Sequence, residues 1–392
     1  MIRPKTIPLS VPELRGNELK YLKECIETNW VSYVGPFVSR LEEIVARTAG
    51  TPYAVATNSG TAALHTALLV AGIGPGDEVL VPDLTFIAPV NAVQYSGAAP
   101  VFIDVTPDTW QLDPESLETF LREECRRKSG VTIHSRTGKR VKAVIPVHLL
   151  GHPCDMDPIL ALAKRYHLTV IEDAAESMGA RYKGKPVGSL GDLACFSFNG
   201  NKIVTAGGGG AVTTRRKDWA LRAKYLTTQA KDSPDEYIHH AVGYNYRLTN
   251  IQAAVAVAQM EKLEEYVGIK RRLAGRYEKA FRPLPGLTLP REATWAFSTY
   301  WLYTVLVNEK TFGCTSRELL RELNRQGVQA RPLWGPIHQQ KPYRHCRAFK
   351  IRVASDLYRR AVSLPSSVGL RKKDQDRVIN LIQTLHKRRS RS

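Results

Sequence analysis

Long apolar runs are missing from this 392-residue chain. None approaches the roughly 18 residues that a membrane-spanning helix requires, and the N-terminus, Met-Ile-Arg-Pro-Lys-Thr-Ile-Pro, lacks the apolar core of a secretory signal. The expected location is the cytoplasm. Cysteine is scarce. Cys25, Cys125, Cys154, Cys195, Cys314 and Cys346 are scattered with no close pair, so the sequence offers neither a disulfide framework nor a zinc site, and no metal is expected. Acid is under-represented: 37 Asp and Glu against 56 Lys and Arg give a formal charge of +19. Such an excess attracts polyanions. No helix-turn-helix or zinc-finger pattern accompanies the basic runs at 126–128, 136–142, 341–352 and 386–391, which read equally as solvated faces or as an approach for a phosphate-bearing substrate.

What is present is a long alternation of strands and helices. Residues 12–29 read as a helix with Leu19, Leu22 and Ile26 at helical spacing, and 37–48 as a second. Short strands are expected at 53–57, 78–81, 100–104, 143–147 and 169–172, with helices between them. That order implies parallel pairing through right-handed crossovers, hence a doubly wound α/β domain. The basic insert at 126–141 reads as an exposed loop or a small hairpin. Residues from Ile251 past Tyr266 read as one long helix, with Ile251, Ala254, Val255 and Ala258 on one face. The expected division is a large α/β domain over 1–255 and a smaller α+β domain over 256–392. The smaller one includes a strand over 300–307, a capping box at Thr315–Glu318, a last helix around 378–385, and a frayed basic tail.

Four local features share one chemical need. Ser59-Gly60-Thr61 lies between a strand and a helix, where backbone N–H groups and a hydroxyl can bind an anion. Phe86 follows the carboxyl end of a strand, the edge at which open α/β sheets bind ligands. Asp173 ends an apolar strand, and a carboxylate there is costly unless it meets a cation. Ser197 and Lys202 flank a turn that runs into four glycines, Gly207–Gly210. An acid for a pyridinium, an aromatic for a ring, donors for a phosphate and a lysine for an aldehyde are together the needs of pyridoxal 5′-phosphate (PLP).

The segments Ser-Gly-Thr-Ala-Ala-Leu, Glu-Asp-Ala-Ala-Glu-Ser-Met-Gly-Ala, Phe-Ser-Phe-Asn-Gly-Asn-Lys and Gly-Tyr-Asn-Tyr-Arg-Leu-Thr-Asn resemble, in order and over nearly the full length, the DegT/DnrJ/StrS family of PLP-dependent sugar aminotransferases. Arg-Pro-Leu-Trp at 331–334 and the glycine run are most similar to the legionaminic-acid-type branch. The resemblance implies PLP fold type I, with Lys202 as the Schiff-base lysine and acid/base, and Asp173 at the pyridine nitrogen. Glu176 would lie near the ring hydroxyl, at a position usually held by Gln or Glu. Phe86 would lie on the ring, and Gly60, Thr61 and Ser197 on the phosphate. Asn245 would reach the phosphate of a neighbouring subunit, which implies a homodimer with shared active sites. Trp30, Arg247, Arg331 and His338 are the candidates for substrate contacts. Relatives that dehydrate sugars carry His where this chain has Lys202, so lysine implies transamination. The implied donor is L-glutamate. The implied acceptor is a nucleotide-linked 4-keto-6-deoxy sugar, first UDP-4-keto-6-deoxy-N-acetylglucosamine, with GDP-4-keto-6-deoxymannose, as for a perosamine synthase, as the alternative. A reading of another class, a non-catalytic regulatory or nucleic-acid-binding protein on the same scaffold, rests on the charge alone.

Overall fold

In the computed structural model, which describes residues 6–389, the chain is organised by a ten-stranded sheet. Its strands are β1 (Tyr53–Thr57), β2 (Asp77–Pro82), β3 (Ala99–Ile103), β4 (Cys125–Lys128), β5 (Val131–His134), β6 (Arg140–Val144) and β7 (Thr169–Asp173), then, beyond the small pair β8 (Arg181–Tyr182) and β9 (Lys185–Pro186), β10 (Leu193–Ser197) and β11 (Gly210–Thr214). Later come β12 (Leu287–Thr288), β13 (Ala296–Phe297), β14 (Tyr303–Val307), β15 (Arg347–Phe349) and β16 (Ala361–Leu364). The main path runs β1-β11-β10-β7-β6-β2-β3-β15. It is parallel from β10 to β15, and β11 runs antiparallel to both its neighbours. Strand β2 is buried at every position, as a parallel strand covered on both faces must be. This is the mainly parallel α/β sheet that the alternation of strands and helices implies.

Helices α1 (Glu18–Glu27), α2 (Pro36–Ala49), α3 (Gly60–Val70), α4 (Ala88–Tyr95), α5 (Pro114–Glu123), α6 (Met156–Tyr166) and α7 (Lys217–Thr227) cover this sheet together with α8 (Asn250–Met260). Helix α3 is apolar nearly all round and buried over most of its length, as a helix enclosed on all sides must be. Its first turn is closed by Ser59, whose Oγ accepts the Ala62 N–H at 3.0 Å.

Several expectations need correction. Helix α1 turns Tyr21 and Cys25 inward, while Leu19 is 81 % and Ile26 61 % exposed. The reason is polar: the Tyr21 hydroxyl donates to Glu261 at 2.7 Å and the Asn250 amide donates to Cys25 Sγ at 3.3 Å, and these contacts to the α8 region set the helix rotation. The expected long helix from Ile251 is two. It breaks at Lys262 (φ −106°, ψ 1°), and α9 (Leu263–Phe281) follows. Neither glycine nor proline marks that break. In α8 it is Ala253, Ala254, Ala256, Val257 and Ala258 that are fully enclosed, with Ile251 and Val255 only partly so. The expected strand over 300–307 begins at Tyr303. Of the two readings of the 126–141 insert, the small hairpin holds: β4 pairs with β5, and β5 pairs in turn with β6. Residues 386–389 of the expected frayed tail continue α13 (Lys372–Arg389), and 390–391 lie outside the described residues.

The second core gathers Ala274, Tyr277 and Phe281 of α9 with Tyr303, Val305 and Val307 of β14, and with Val362 and Leu364 of β16. Leu263, Tyr266 and Val267, at the start of the same helix, belong to the first core. Helix α9 therefore contributes to both cores, and β15 returns to the edge of the large sheet beside β3. The helices α10 (Glu309–Phe312), α11 (Ser316–Arg325) and α12 (Val353–Arg360) complete this half. Thr315 and Glu318 form the capping box of α11. No helix among the described residues is long and apolar enough to cross a membrane.

Candidate active site

The carboxyl ends of β7 and β10 and the start of α3 face one cavity of about 300 Å³. One wall is backbone. Gly60 packs against Ser197 so closely that a Cβ there would stand 2.8 Å from the serine Cβ. Only glycine lets the helix start approach Ser197 this far. Gly209, at φ +106°, donates its N–H to Asn58 O at 3.0 Å and stitches the glycine run to the same turn. The start of α3, with Thr61 and Ser197 beside it, makes a place for an anion.

The floor is acidic. Asp173 ends β7, and its Oδ1 accepts the Ala175 N–H at 3.1 Å. Burial pushes its carboxyl up, against the opposing pull of that N–H, of Lys202 and of His148. Glu176 accepts the Leu150 N–H at 2.8 Å, and its other oxygen lies 3.5 Å from Lys202 Nζ. Burial pushes Glu176 up as well, opposed chiefly by Lys202. Two enclosed carboxyl groups thus share one lysine. A second cation would be accepted beside Asp173.

The remaining wall is aromatic. Lys202 Nζ lies 4.0 Å from the ring centre of Trp301. The Trp301 indole N–H donates to Asn201 O at 2.7 Å, and its ring stacks on Trp334 with planes 5° apart. Phe86 meets Trp334 edge-on at 6.4 Å. The sequence places Trp334 in the Arg-Pro-Leu-Trp motif and Trp301 in an expected strand, but it marks neither as a site residue.

The cavity brings together Gly60, Thr61, Phe86, Asp173, Glu176, Ser197 and Lys202. The other expected residues do not line it. Trp30 is exposed, and its carbonyl accepts the Asn250 side-chain amide at 2.7 Å. Asn245 is exposed on a loop and receives the Asn58 amide on its carbonyl at 3.1 Å. Arg247 bridges Thr57 through its backbone, and its Nε is buried with no hydrogen-bond partner among the described residues. Arg331 is exposed beside β16, where it bridges Ser363. His338 is held by Asp83 through its backbone N–H at 2.9 Å and its Nδ1 at 2.7 Å. His148, at a strand end near the site, is a core residue: its Nδ1 accepts the Cys154 N–H at 3.0 Å and its Nε2 meets Glu172 at 2.9 Å.

The enclosed carboxylate, the anion cradle that a Cβ would fill, and a lysine among aromatic rings form the donor set that a phosphorylated pyridine aldehyde requires, so the residues present fit PLP. The site and fold are those of a PLP-dependent sugar aminotransferase. The profile of the DegT/DnrJ/EryC1/StrS aminotransferase family matches residues 12–383, and the chain belongs to that family. It is 42 % identical over 374 residues to the GDP-perosamine synthase of Caulobacter vibrioides, with 95 % of this chain and 96 % of that one covered. It is 38 % identical over 383 residues to the GDP-perosamine synthase of Escherichia coli O157:H7, covering 97 % and 98 %. Among solved structures, DesV of S. venezuelae superposes with a TM-score of 0.84 at 31 % identity, covering 97 % of this chain and 99 % of that one. Membership of the aminotransferase family displaces the non-catalytic reading.

Proposed function

We propose that this enzyme moves an amino group from L-glutamate to C-4 of GDP-4-keto-6-deoxymannose. The observation that carries the choice of nucleotide is the near full-length similarity to GDP-perosamine synthases. It favours the GDP sugar over the UDP-linked N-acetylglucosamine derivative that stood first on the sequence motifs. The excess positive charge of +19 suits a substrate with two phosphates.

When bound, PLP supplies an aldehyde for the migrating amine and a ring that accepts the electron pair of a breaking C–H bond. The chain's residues then divide the work. Thr61, Ser197, Gly60 and the start of α3 bind the phosphate. Asp173, as a buried anion, keeps a proton on a facing ring nitrogen. Lys202 Nζ, the one amine among the described residues that lines the cavity, would take the proton from the donor carbon in the first half-reaction and deliver a proton to C-4 of the sugar in the second. Glu176 lies 3.5 Å from that amine and orients it. Phe86, Trp301 and Trp334 exclude water.

The working form is a homodimer. Asn245 and Arg247 lie outside the cavity of their own chain, and each would serve the neighbour's site. An exposed apolar band, Leu14, Leu19, Ile26, Val31 and Val34, supports a partner there. Trp30, Arg331 and His338 are the candidate sugar-nucleotide contacts.

The test is a competition. Purified enzyme with PLP and L-glutamate receives both 4-keto sugar nucleotides, and product is followed by mass. The expected result is at least about tenfold higher kcat/KM for the GDP sugar, a margin of about 1.4 kcal/mol in transition-state binding. Preference for the UDP sugar would restore the other reading. Lys202→Ala should keep the fold and lose turnover.

A further inference from the structure

Lys270 sits in α9 and is only 3 % exposed. Its ammonium donates to two backbone carbonyls, Trp301 O at 2.9 Å and Ser366 O at 2.6 Å. No carboxylate lies against it among the described residues. Burial alone pushes the amine down to about 7. An apolar side chain of similar length would fill the space without that desolvation cost, so packing does not explain the charge.

What the lysine grips gives it a use. The Trp301 N–H donates to Leu150 O at 2.9 Å, and the Leu150 N–H donates to Glu176. Leu150 (φ +57°) and Tyr300 (φ +49°) both hold left-handed backbone, which non-glycine residues keep only where their surroundings enforce it. The Trp301 indole reaches Asn201 O, one residue before Lys202, and its ring faces the Lys202 amine. On the other side, Ser366 follows β16 of the smaller sheet, and its Oγ accepts the Tyr303 N–H at 2.9 Å. One buried ammonium therefore joins the aromatic wall of the cavity to the second core.

We propose that Lys270 is a positioning residue for aminotransfer: by tying Trp301 to Ser366 it fixes the indole against Lys202, and so fixes the direction in which the Lys202 amine meets the reacting carbon. The proposal rests on the reading of Lys202 given above.

The experiment is a double-mutant cycle of Lys270→Met and Trp301→Phe in the PLP-loaded enzyme, with the same variants studied free of PLP. Lys270→Met should lower kcat by about tenfold to a hundredfold, the cost of small misplacements in a reacting geometry. KM for the sugar nucleotide should move by less than about threefold. In the Trp301→Phe background, Lys270→Met should add little further loss. In the PLP-free protein, Lys270→Met should alter the tryptophan region of the near-ultraviolet circular dichroism, and Trp301→Phe should erase that alteration. Additive losses in kcat, or an unchanged kcat in Lys270→Met, would overturn the proposal. If the methionine variant does not fold, Lys270→Gln, a neutral donor, carries the same cycle and should keep part of the rate. Turnover that survives Lys202→Ala would instead overturn the functional reading, and the circular dichroism cycle would then decide the clamp by itself.

Discussion

Glu172 and Asp173 are neighbours on β7, and both are buried, yet the protein treats them in opposite ways. Glu172 accepts N–H groups from Gly188, Leu190 and Gly191 at 2.7–2.9 Å and meets His148 at 2.9 Å. Despite the opposing effect of burial, His148 and these donors hold its carboxyl below the usual range. Asp173 receives the Ala175 N–H and the weaker pull of Lys202 and His148, and burial leaves its carboxyl above the usual range. Successive strand residues point to opposite faces, so one carboxylate faces the packed interior and the other faces the cavity. The first is satisfied within the chain. The second stays under-satisfied until a cation arrives from outside, which is the mark of a site and not of a scaffold.

The largest break in this comparison is Asp173→Asn. The amide can keep the Ala175 hydrogen bond but carries no charge to hold a proton on the cofactor. Turnover should fall by about a hundredfold to a thousandfold, the usual cost of removing one preorganised electrostatic partner. In the PLP-free protein the same change should raise stability at neutral pH by about 1 kcal/mol, because a raised carboxyl is a penalty above its own pKa. Loss of activity together with loss of stability would mean that Asp173 is a structural residue after all.

Glu172→Gln should do the reverse. Three backbone donors and His148 lose an anion, and stability should drop by about 3 kcal/mol as the buried pair is broken. The sign with pH follows from the depressed carboxyl. Its contribution is present above the ordinary glutamate value of about 4.3 and is lost as pH falls through the folded value. Denaturant midpoints for the two proteins should therefore be far apart at pH 7 and converge in acid. A constant gap would show that shape, not charge, is what Glu172 supplies.

The same contrast explains what could be read in the sequence. The strand-end acid, the βα turn with Gly60 and Thr61, Phe86, Ser197 and Lys202 each sit at a local signal, and they meet because the parallel sheet gathers strand ends at one edge. Trp301 lies in an expected strand and Trp334 in the Arg-Pro-Leu-Trp motif, and neither position points to the site. They come from distant parts of the chain and pack with the first core, and only tertiary packing brings them to Lys202. The inward face of α1 is not legible from apolar spacing, because Tyr21 and Cys25 are seated by hydrogen bonds to Glu261 and Asn250. Asn245, Arg247 and Trp30 stand outside the cavity of a single chain, and no local pattern in the sequence separates them from the residues that line it.

The smallest expected effect belongs to Glu176, which lies between the two cases. It is raised by burial but opposed by Lys202 at 3.5 Å and by the Leu150 N–H. Glutamine keeps the size and can still accept that N–H, so Glu176→Gln should preserve the fold and most of the turnover. The PLP-free variant should gain less than about 1 kcal/mol at pH 7, part of the relief being offset because Lys202 loses its counter-charge. A raised carboxyl costs stability only where it ionises. The gain should therefore fade as pH falls and vanish below the ordinary glutamate value of about 4.3, where the wild-type group becomes neutral in folded and unfolded chains alike. Thermal midpoints of both proteins between pH 4 and pH 8 would measure it. A variant that is less stable throughout that range would mean that the ion pair with Lys202 outweighs the burial of Glu176, and would move this residue to the satisfied side of the comparison.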